Sequence, residues 1–198
     1  LTAIALQNDS GESLLRYYSM SKLVMETFPE VTWLPWRFKQ LPPEWWEDRD
    51  NRRKHLVWIG EQLKLQNDKL KDTTSQNSFW YKVTPNGVKQ FHGGMMQSHS
   101  ASGWHVITCS HNQQNTAEAY RSVAEAVMDL IEPNPNEAWL PWKFVSLHSS
   151  WWENKQNQLQ YINWLAGELG FSRMEDWYKV STYSFRENHG TRVRSSGV

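Results

Sequence analysis

The sequence has little cysteine, no excess of either charge and no long apolar run. Its single cysteine, Cys109, excludes an intramolecular disulfide framework. The 21 basic residues are balanced by 21 acidic residues, which argues against a polycation that coats nucleic-acid phosphates. No apolar stretch approaches the length of about 20 residues that a transmembrane helix needs, so we expect no membrane insertion.

The motifs of several large enzyme classes are also missing from the sequence. It contains no glycine-rich phosphate loop, no G-x-S-x-G elbow and no H-E-x-x-H pair. Glu47 with Asp48 and Glu175 with Asp176 form acidic pairs, but they fall at predicted helix starts, where carboxylates are favourable for electrostatic reasons. We therefore predict that the protein is not an enzyme, binds no cofactor and takes no small-molecule substrate.

Tryptophan is abundant, with 13 residues in 198, and much of it lies in a segment that occurs twice. The stretch from Trp33 to Glu47 reads W-L-P-W-R-F-K-Q-L-P-P-E-W-W-E, and it returns 106 positions later as W-L-P-W-K-F-V-S-L-H-S-S-W-W-E. A second landmark, F-W-Y-K-V-T from Phe79 to Thr84, returns 97 positions later as D-W-Y-K-V-S. The chain is therefore predicted to contain one module twice.

Apolar spacing predicts helices around these landmarks. One helix is expected from Glu12 to Phe28 and its counterpart from Ala117 to Ile131, with Thr116 as its N-cap. The segment W-L-P-W should form a rigid extended corner, because proline restricts its own backbone and that of the residue before it.

A second helix is expected after each corner. In the later copy, Ser150 and Glu153 have the spacing of a capping box and Gly170 is suited to end the helix. The W-Y-K-V segments are expected to be turns, and Thr84 with Pro85 predicts the start of a short helix.

The predicted fold class is mainly α, with two tandem copies of a small Trp-rich helical module joined by a polar connector. The boundaries are listed here: an N-terminal tail at 1–11, repeat 1 at 12–93, the connector at 94–115, repeat 2 at 116–190 and a C-terminal tail at 191–198. Within the connector, W-H-V-I-T-C is the segment with good strand character.

The shared pattern is W-L-P-W-[RK]-F, paired aromatic residues, an apolar helix with W-[IL]-[GA], and W-Y-K-V-[ST]. It resembles tandem tryptophan-rich repeat proteins of microbial eukaryotes, a group of uncharacterised sequences. The resemblance covers most of Tyr17 to Gly93 and of Tyr120 to Gly190. It implies a repeat architecture and no particular activity. Phe79 departs from the pattern, because an acid precedes W-Y-K-V in the second copy.

Histidines and the cysteine are concentrated near the connector. Imidazole and thiolate are ligands that zinc prefers, but no C-x-x-C or H-x-x-x-H pair is present, so a polar connector that happens to be rich in histidine is favoured over a metal site. The weak metal candidates are His92, His99, His105, Cys109 and His111.

Two surfaces are predicted to contact partners. Adjacent indoles on a helix point about 100 degrees apart, so one of each pair can face a neighbour. The protein-contact candidates are Trp45, Trp46, Trp151 and Trp152. Basic residues interleave with aromatic residues in the first copy and are expected to make at most a local RNA contact. These RNA-contact candidates are Arg37, Lys39, Arg49, Arg52, Arg53 and Lys54.

Three functions follow from these observations. The favoured one is a non-catalytic subunit of a larger assembly, best matched by an organellar ribonucleoprotein such as a mitochondrial ribosome. The expected location is intracellular, either mitochondrial or in another organelle after presequence removal. A free-standing binder of single-stranded RNA or DNA is the first alternative, and a zinc-dependent enzyme that uses the histidine-rich connector is the second.

Overall fold

A computed structural model describes residues 19–39, 41–67, 75–91 and 120–189. These residues are mainly helical, and no strand occurs among them. The predicted tails and the predicted strand of the connector lie outside the described residues. We refer to residues 19–91 as the N-terminal half and to residues 120–189 as the C-terminal half, each within those limits.

The N-terminal half is a series of mostly short helices. In chain order they are α1 (Met20–Thr27), a 3-10 helix (Pro35–Arg37), α2 (Pro43–Glu47), α3 (Arg49–Gln66), α4 (Gln76–Tyr81) and α5 (Pro85–Lys89). The C-terminal half has α6 (Val123–Leu130), 3-10 helices (Pro141–Lys143 and Ser149–Glu153), α7 (Lys155–Glu168), a 3-10 helix (Met174–Lys179) and α8 (Thr182–Glu187).

The first helix of each half begins at a serine cap. Ser122 Oγ accepts a hydrogen bond from the Glu125 amide at 3.2 Å, and Ser19 caps α1 in the same way. The predicted helix from Ala117 was therefore too long at its start, because Ser122 has extended backbone angles and satisfies a free amide of the first turn.

The prediction that Ser150 caps the second helix of the C-terminal half was wrong. Ser150 Oγ lies 2.8 Å from His148 Nδ1, inside a separate 3-10 helix. The cap of α7 is Asn154, whose Oδ1 accepts from the Gln156 amide at 2.8 Å. The predicted end is confirmed, since Gly170 has the left-handed φ of 68° that favours glycine.

The W-Y-K-V segments belong to helical turns and their ends, which corrects the prediction of simple turns. Ser75 Oγ accepts from the Ser78 amide and starts α4. In the C-terminal half the Asp176 carboxylate accepts from the amides of Ser172 and Arg173 and steadies the 3-10 helix that contains Trp177. The predicted cap at Thr84 is confirmed, with its Oγ1 accepting from the Gly87 amide at 3.2 Å.

Each half contains an aromatic cluster built around the second indole of W-L-P-W. The Trp36 ring lies 6.1 Å from Trp45 and 5.4 Å from Trp58 between centroids. In the C-terminal half, the Trp142 ring lies 6.1 Å from Trp151 and 5.1 Å from Trp164. The rings are tilted by 44° to 58° in these pairs, and aromatic contacts of this kind stabilise the fold beyond the area they bury.

Buried side chains from both halves form one core. Members contributed by the N-terminal half are Leu56, Ile59, Leu63, Phe79, Trp80, Val83 and Val88. Members contributed by the C-terminal half include Val123, Ala126, Val127, Leu130, Ile131, Phe144 and Leu165. The two halves therefore meet through apolar side chains.

Candidate functional site

The surface at which the two halves meet is built by α6 packing against α3 and α4. The alanines and valines of α6 are almost fully buried there, as are Leu130 and Ile131 at its end. Small side chains allow the α6 backbone to approach α3 closely, and their burial supplies the apolar contact that holds the halves together.

Tyr81, the last residue of α4, makes both ring contacts and hydrogen bonds to the C-terminal half. Its ring packs edge-on against Trp139 at 5.8 Å and Phe144 at 4.8 Å. Its hydroxyl oxygen accepts from the Leu140 amide at 2.9 Å, and its carbonyl oxygen accepts from the Val145 amide at 3.0 Å. We call Tyr81 the inner knob, and Trp139 with Phe144 the inner socket.

The hydroxyl of the inner knob is held in its neutral form. Burial raises the pKa of Tyr81, the hydrogen bond from Leu140 lowers it in part, and the nearby Glu137 carboxylate raises it further. Because a neutral phenol is retained far above physiological pH, the Tyr81 contact does not depend on pH in the physiological range.

Asn77 makes two further hydrogen bonds across this junction. It is fully buried, its Nδ2 donates to the Glu137 carbonyl at 3.1 Å, and its Oδ1 accepts from the Asn134 amide at 2.9 Å. Both partners lie on E-P-N-P-N-E, the connection that is three residues longer than its counterpart in the first copy. A buried amide with donor and acceptor both satisfied fixes the position of this connection.

An ion pair lies at the rim of the junction. Arg49 Nη2 contacts the Asp129 backbone oxygen and lies 3.6 Å from Asp129 Oδ1. Both side chains are about half exposed. Exposed pairs contribute about 0 to 1 kcal/mol, so this one orients the halves more than it stabilises them.

The two residues of the inner socket, Trp139 and Phe144, correspond in the repeated sequence to Trp33 and Phe38 of the N-terminal half. Trp33 and Phe38 lie 5.6 Å apart between ring centroids, against 5.4 Å for Trp139 and Phe144. The indole Nε1 of Trp33 donates to the Phe28 carbonyl at 2.9 Å, and Trp139 does the same to Ile131 at 3.1 Å. We call Trp33 with Phe38 the outer socket.

The counterpart of the inner knob is Tyr178, which we call the outer knob. Tyr178 is 92% exposed, whereas Tyr81 is half-buried in its socket. The same contrast holds around the sockets, where Phe28 is 48% exposed and its counterpart Ile131 is 4% exposed. Among the described residues, Tyr178 and Phe28 are therefore exposed at positions whose counterparts are covered at the junction, while Trp33 and Phe38 of the outer socket are half-buried.

The four tryptophans predicted to contact protein partners lie in the aromatic clusters of their own halves. Trp46 and Trp152 are buried, and Trp45 and Trp151 are half-buried against the W-L-P-W indoles. Their role in partner binding stays a prediction. The sequence reasoning missed the exposed aromatic side chains, which among the described residues are Phe28, Tyr178 and Tyr183.

The six predicted RNA-contact residues divide into two groups. Arg52 is buried, and its Nη1 donates to the carbonyl oxygens of Trp46 and Glu47 at 2.9 Å each. Arg49 is engaged with Asp129 at the junction. The remaining four are exposed: Arg37, Lys39, Arg53 and Lys54. The structure thus leaves four of the six side chains accessible to a phosphate.

The predicted metal candidates, His92, His99, His105, Cys109 and His111, lie outside the described residues. Within the described residues, no cluster of three or more His, Cys, Asp or Glu side chains could hold a metal ion.

A cleft beside the inner knob is lined by Tyr81, Glu137, Lys143 and His189, among others. Burial lowers the pKa of His189, and the Lys143 ammonium lowers it further. The neutral imidazole is therefore favoured, although His189 itself remains exposed.

Across 19–39, 41–67, 75–91 and 120–189, no helix is both long and apolar enough to cross a membrane. No family model matches the chain, and neither a curated protein nor a solved structure matches it.

Proposed function

We propose that this chain is a non-catalytic binding and structural subunit of a larger assembly. It is built from two tandem copies of one Trp-rich helical module, module 1 (12–93) and module 2 (116–190), which stack in head-to-tail order. An organellar ribonucleoprotein of the mitochondrial-ribosome kind is the assembly we favour, held by protein contacts and by a local RNA contact.

One observation carries this proposal: the positions that form the junction recur at both outer ends, where several of their side chains are exposed among the described residues. Tyr178 is 92% exposed and Phe28 is 48% exposed, while their counterparts are covered. Units that bury their apolar faces only against neighbours usually stack into arrays, and an array with uncovered ends needs a cap or a partner.

The duplicated geometry supports the two-module description. The indole pairs of W-W pack edge-to-face at 4.6 Å in one half and 4.7 Å in the other, with interplanar angles of 84° and 87°. Asn51 Nδ2 donates to the Trp45 carbonyl, and Asn157 Nδ2 donates to the Trp151 carbonyl. Such agreement in side-chain contacts is expected when two segments share one fold.

The exposure of Arg37, Lys39, Arg53 and Lys54 supports a local RNA contact by module 1. None of the tryptophans among the described residues is exposed. A binder that stacks unpaired bases on aromatic faces would need such faces uncovered. For this reason we favour protein contacts as the main attachment, with RNA as a secondary one.

The test is sedimentation of the tagged chain from its native cells at moderate salt, with and without RNase. We expect the chain to sediment in a particle far heavier than its own 23.4 kDa. If the particle survives RNase, protein contacts hold the chain; if RNase releases it, RNA holds it. Sedimentation as a free monomer under both conditions would contradict the proposal.

The nucleic-acid alternative is tested separately with purified protein and labelled single-stranded RNA. A free-standing binder should shift the RNA with an affinity that falls steeply as salt rises. Replacing Arg53 and Lys54 with Glu should abolish the shift, while Lys82→Glu, at an exposed lysine of the same module, serves as the matched control. We expect no shift with the wild-type chain at physiological salt.

A further inference from the structure

We propose that the partner at the uncovered ends is a second copy of this chain, with the outer knob of one copy seated in the outer socket of the next. This inference rests on the proposed function, since it names the occupant of the same surfaces. Tyr178 would take the place of Tyr81, and Trp33 with Phe38 would take the place of Trp139 with Phe144.

The first support is shape. The aromatic pair of the outer socket is separated by 5.6 Å at 42°, and that of the inner socket by 5.4 Å at 49°. In both sockets the indole is anchored by a hydrogen bond to the carbonyl that ends the preceding helix. A tyrosine already fits the inner socket, so the outer socket offers the same ring contacts to Tyr178.

The second support is that the inner junction contains a polar contact that neither outer end can form. Asn77 of the inner junction hydrogen-bonds to the longer connection, which module 1 lacks. The residue that replaces Asn77 in module 2 is Met174, 80% exposed, and the shorter connection of module 1 presents Phe28 and Val31, both exposed. Neither end keeps the polar pairing that Asn77 makes, and each presents exposed apolar side chains to the other, with Glu30 and Thr32 exposed beside Phe28 and Val31.

The third support is charge. Arg49 and Asp129 meet at the rim of the inner junction. Their counterparts are Lys155 and Glu26, which are exposed and again of opposite sign. Lys22 lies 3.9 Å from Glu26 in the free chain. Docking in the same register would bring Lys155 to Glu26 and place opposite charges at the rim of the new contact.

One difference between the two copies should make the contact between chains weaker than the contact within the chain. Phe79, buried at the inner junction, is replaced by Asp176, whose carboxylate is held by Lys179 and two backbone amides. The intermolecular surface therefore loses one aromatic side chain, and the assembly should be reversible and dependent on concentration. Because the contact joins unlike surfaces, repetition produces rings or filaments rather than symmetric dimers.

The test is a complementation experiment with two variants of the full chain, followed by light scattering after size exclusion. Tyr178→Ala removes the outer knob, and Trp33→Ala with Phe38→Ala removes the outer socket. We expect the wild type to grow in mass with concentration, and each variant alone to remain a monomer at concentrations where the wild type has begun to assemble. An equimolar mixture should give a heterodimer and nothing larger, because each partner supplies the surface that the other lacks.

Tyr183→Ala is the matched control, since Tyr183 is also exposed but is not the counterpart of Tyr81. It should assemble as the wild type does. Tyr178→Ala should weaken self-association about tenfold or more, the loss expected for truncating an aromatic hot spot. Circular dichroism verifies that each variant is folded.

A charge exchange tests the same contact without removing any aromatic side chain. Lys155→Glu and Glu26→Lys should each weaken assembly, and the double variant should restore it. A wild type that stays monomeric into the millimolar range overturns the inference, whatever the cause. That result leaves the proposed function standing if the chain still sediments in a heavy particle from cells. Assembly that is unaffected by Tyr178→Ala also overturns the inference.

Discussion

Gly60 lies where α3 passes close to two aromatic rings of the core. A Cβ atom added there would lie 2.9 Å from Cη2 of Trp80 and 3.3 Å from Cε1 of Phe79. Both rings are buried and belong to the core, so neither can move without disturbing its neighbours. Only a hydrogen atom fits between α3 and these two rings, so the position requires a glycine for steric reasons.

We predict that Gly60→Ala lowers the free energy of unfolding by about 1 to 3 kcal/mol, the usual cost of overpacking a core. Gly167 is the matched control, because a Cβ atom added there meets nothing within 4 Å. Gly167→Ala should raise the free energy of unfolding by up to about 1 kcal/mol through helix propensity. Denaturant unfolding of both variants measures the difference, and equal effects of the two substitutions would contradict this account of Gly60.

Tyr161 gives the protein a sensitivity to alkaline pH. Burial raises the pKa of Tyr161 to about 12, and its hydroxyl donates to the Asn188 carbonyl at 2.9 Å. Burial, followed by the hydrogen bond to the Asp129 carboxylate, raises the pKa of Tyr120 to about 12 as well. In the unfolded chain both hydroxyls ionise near pH 10.

We predict that stability is constant below pH 10 as far as these tyrosines are concerned and falls between pH 10 and pH 12. The sign follows because a raised pKa in the folded state favours the protonated form, so the stabilisation is lost as pH rises. Unfolding measured across this range, with tyrosinate absorbance as a second signal, tests it. Tyr161→Phe should reduce the alkaline loss, and Tyr178→Phe, at an exposed ring, should leave it unchanged.

At the scale of elements, the cap of α6 is the point at which a single side chain supports the junction. Ser122 is buried and starts the helix that packs on α3 and α4. We predict that Ser122→Ala lowers the free energy of unfolding by about 1 kcal/mol. Ser19→Ala removes the equivalent cap from α1, in which Ser21 is the buried residue, and should cost less. Thermal unfolding of both variants provides the comparison, and a larger loss for Ser19→Ala would contradict it.

Sequence reasoning predicted the longer helices and several of their ends because those depend on local chemistry. It was wrong about W-L-P-W, where the expected extended corner is followed from its proline by a 3-10 helix, Pro35–Arg37 in one half and Pro141–Lys143 in the other. Gly170 and Thr84 act as the local rules require. Ser150 did not, because its hydroxyl is engaged with His148, a contact that depends on the fold of the W-W segment. Local rules identify residues that are able to cap a helix but not which of two neighbouring candidates does so.

The junction was beyond the reach of sequence reasoning. Tyr81 and Tyr178 occupy the same W-Y-K-V context, yet one is covered and the other is 92% exposed. Whether the tyrosine of a given copy is covered depends on where α6 docks. That docking is a contact between residues far apart in the chain. The available signal was in the differences between copies: Asn77 against Met174 and the three additional residues of E-P-N-P-N-E mark the surface that only one copy buries.

At the scale of the whole molecule, Asn77 and Met174 occupy the same position in the two copies and allow the buried and the exposed version of one surface to be compared directly. We predict that Asn77→Met lowers the free energy of unfolding by about 1 to 3 kcal/mol, because it leaves the Asn134 amide and the Glu137 carbonyl without partners at the junction. Met174→Asn should change the stability of the monomer little, since Met174 is 80% exposed. Calorimetry at low protein concentration measures both, and an unchanged transition for Asn77→Met would contradict the role given to Asn77.

Asn77 and Met174 also determine the order in which the two kinds of module can be joined. If module 2 docked on the module 2 of another chain, Met174 would face the Asn134 amide and the Glu137 carbonyl and satisfy neither. That mismatched register is disfavoured by the cost of two unpaired polar groups, whereas docking on module 1 incurs no such cost. Any chain grown from these units would therefore alternate strictly between the two kinds of copy and have two chemically distinct termini.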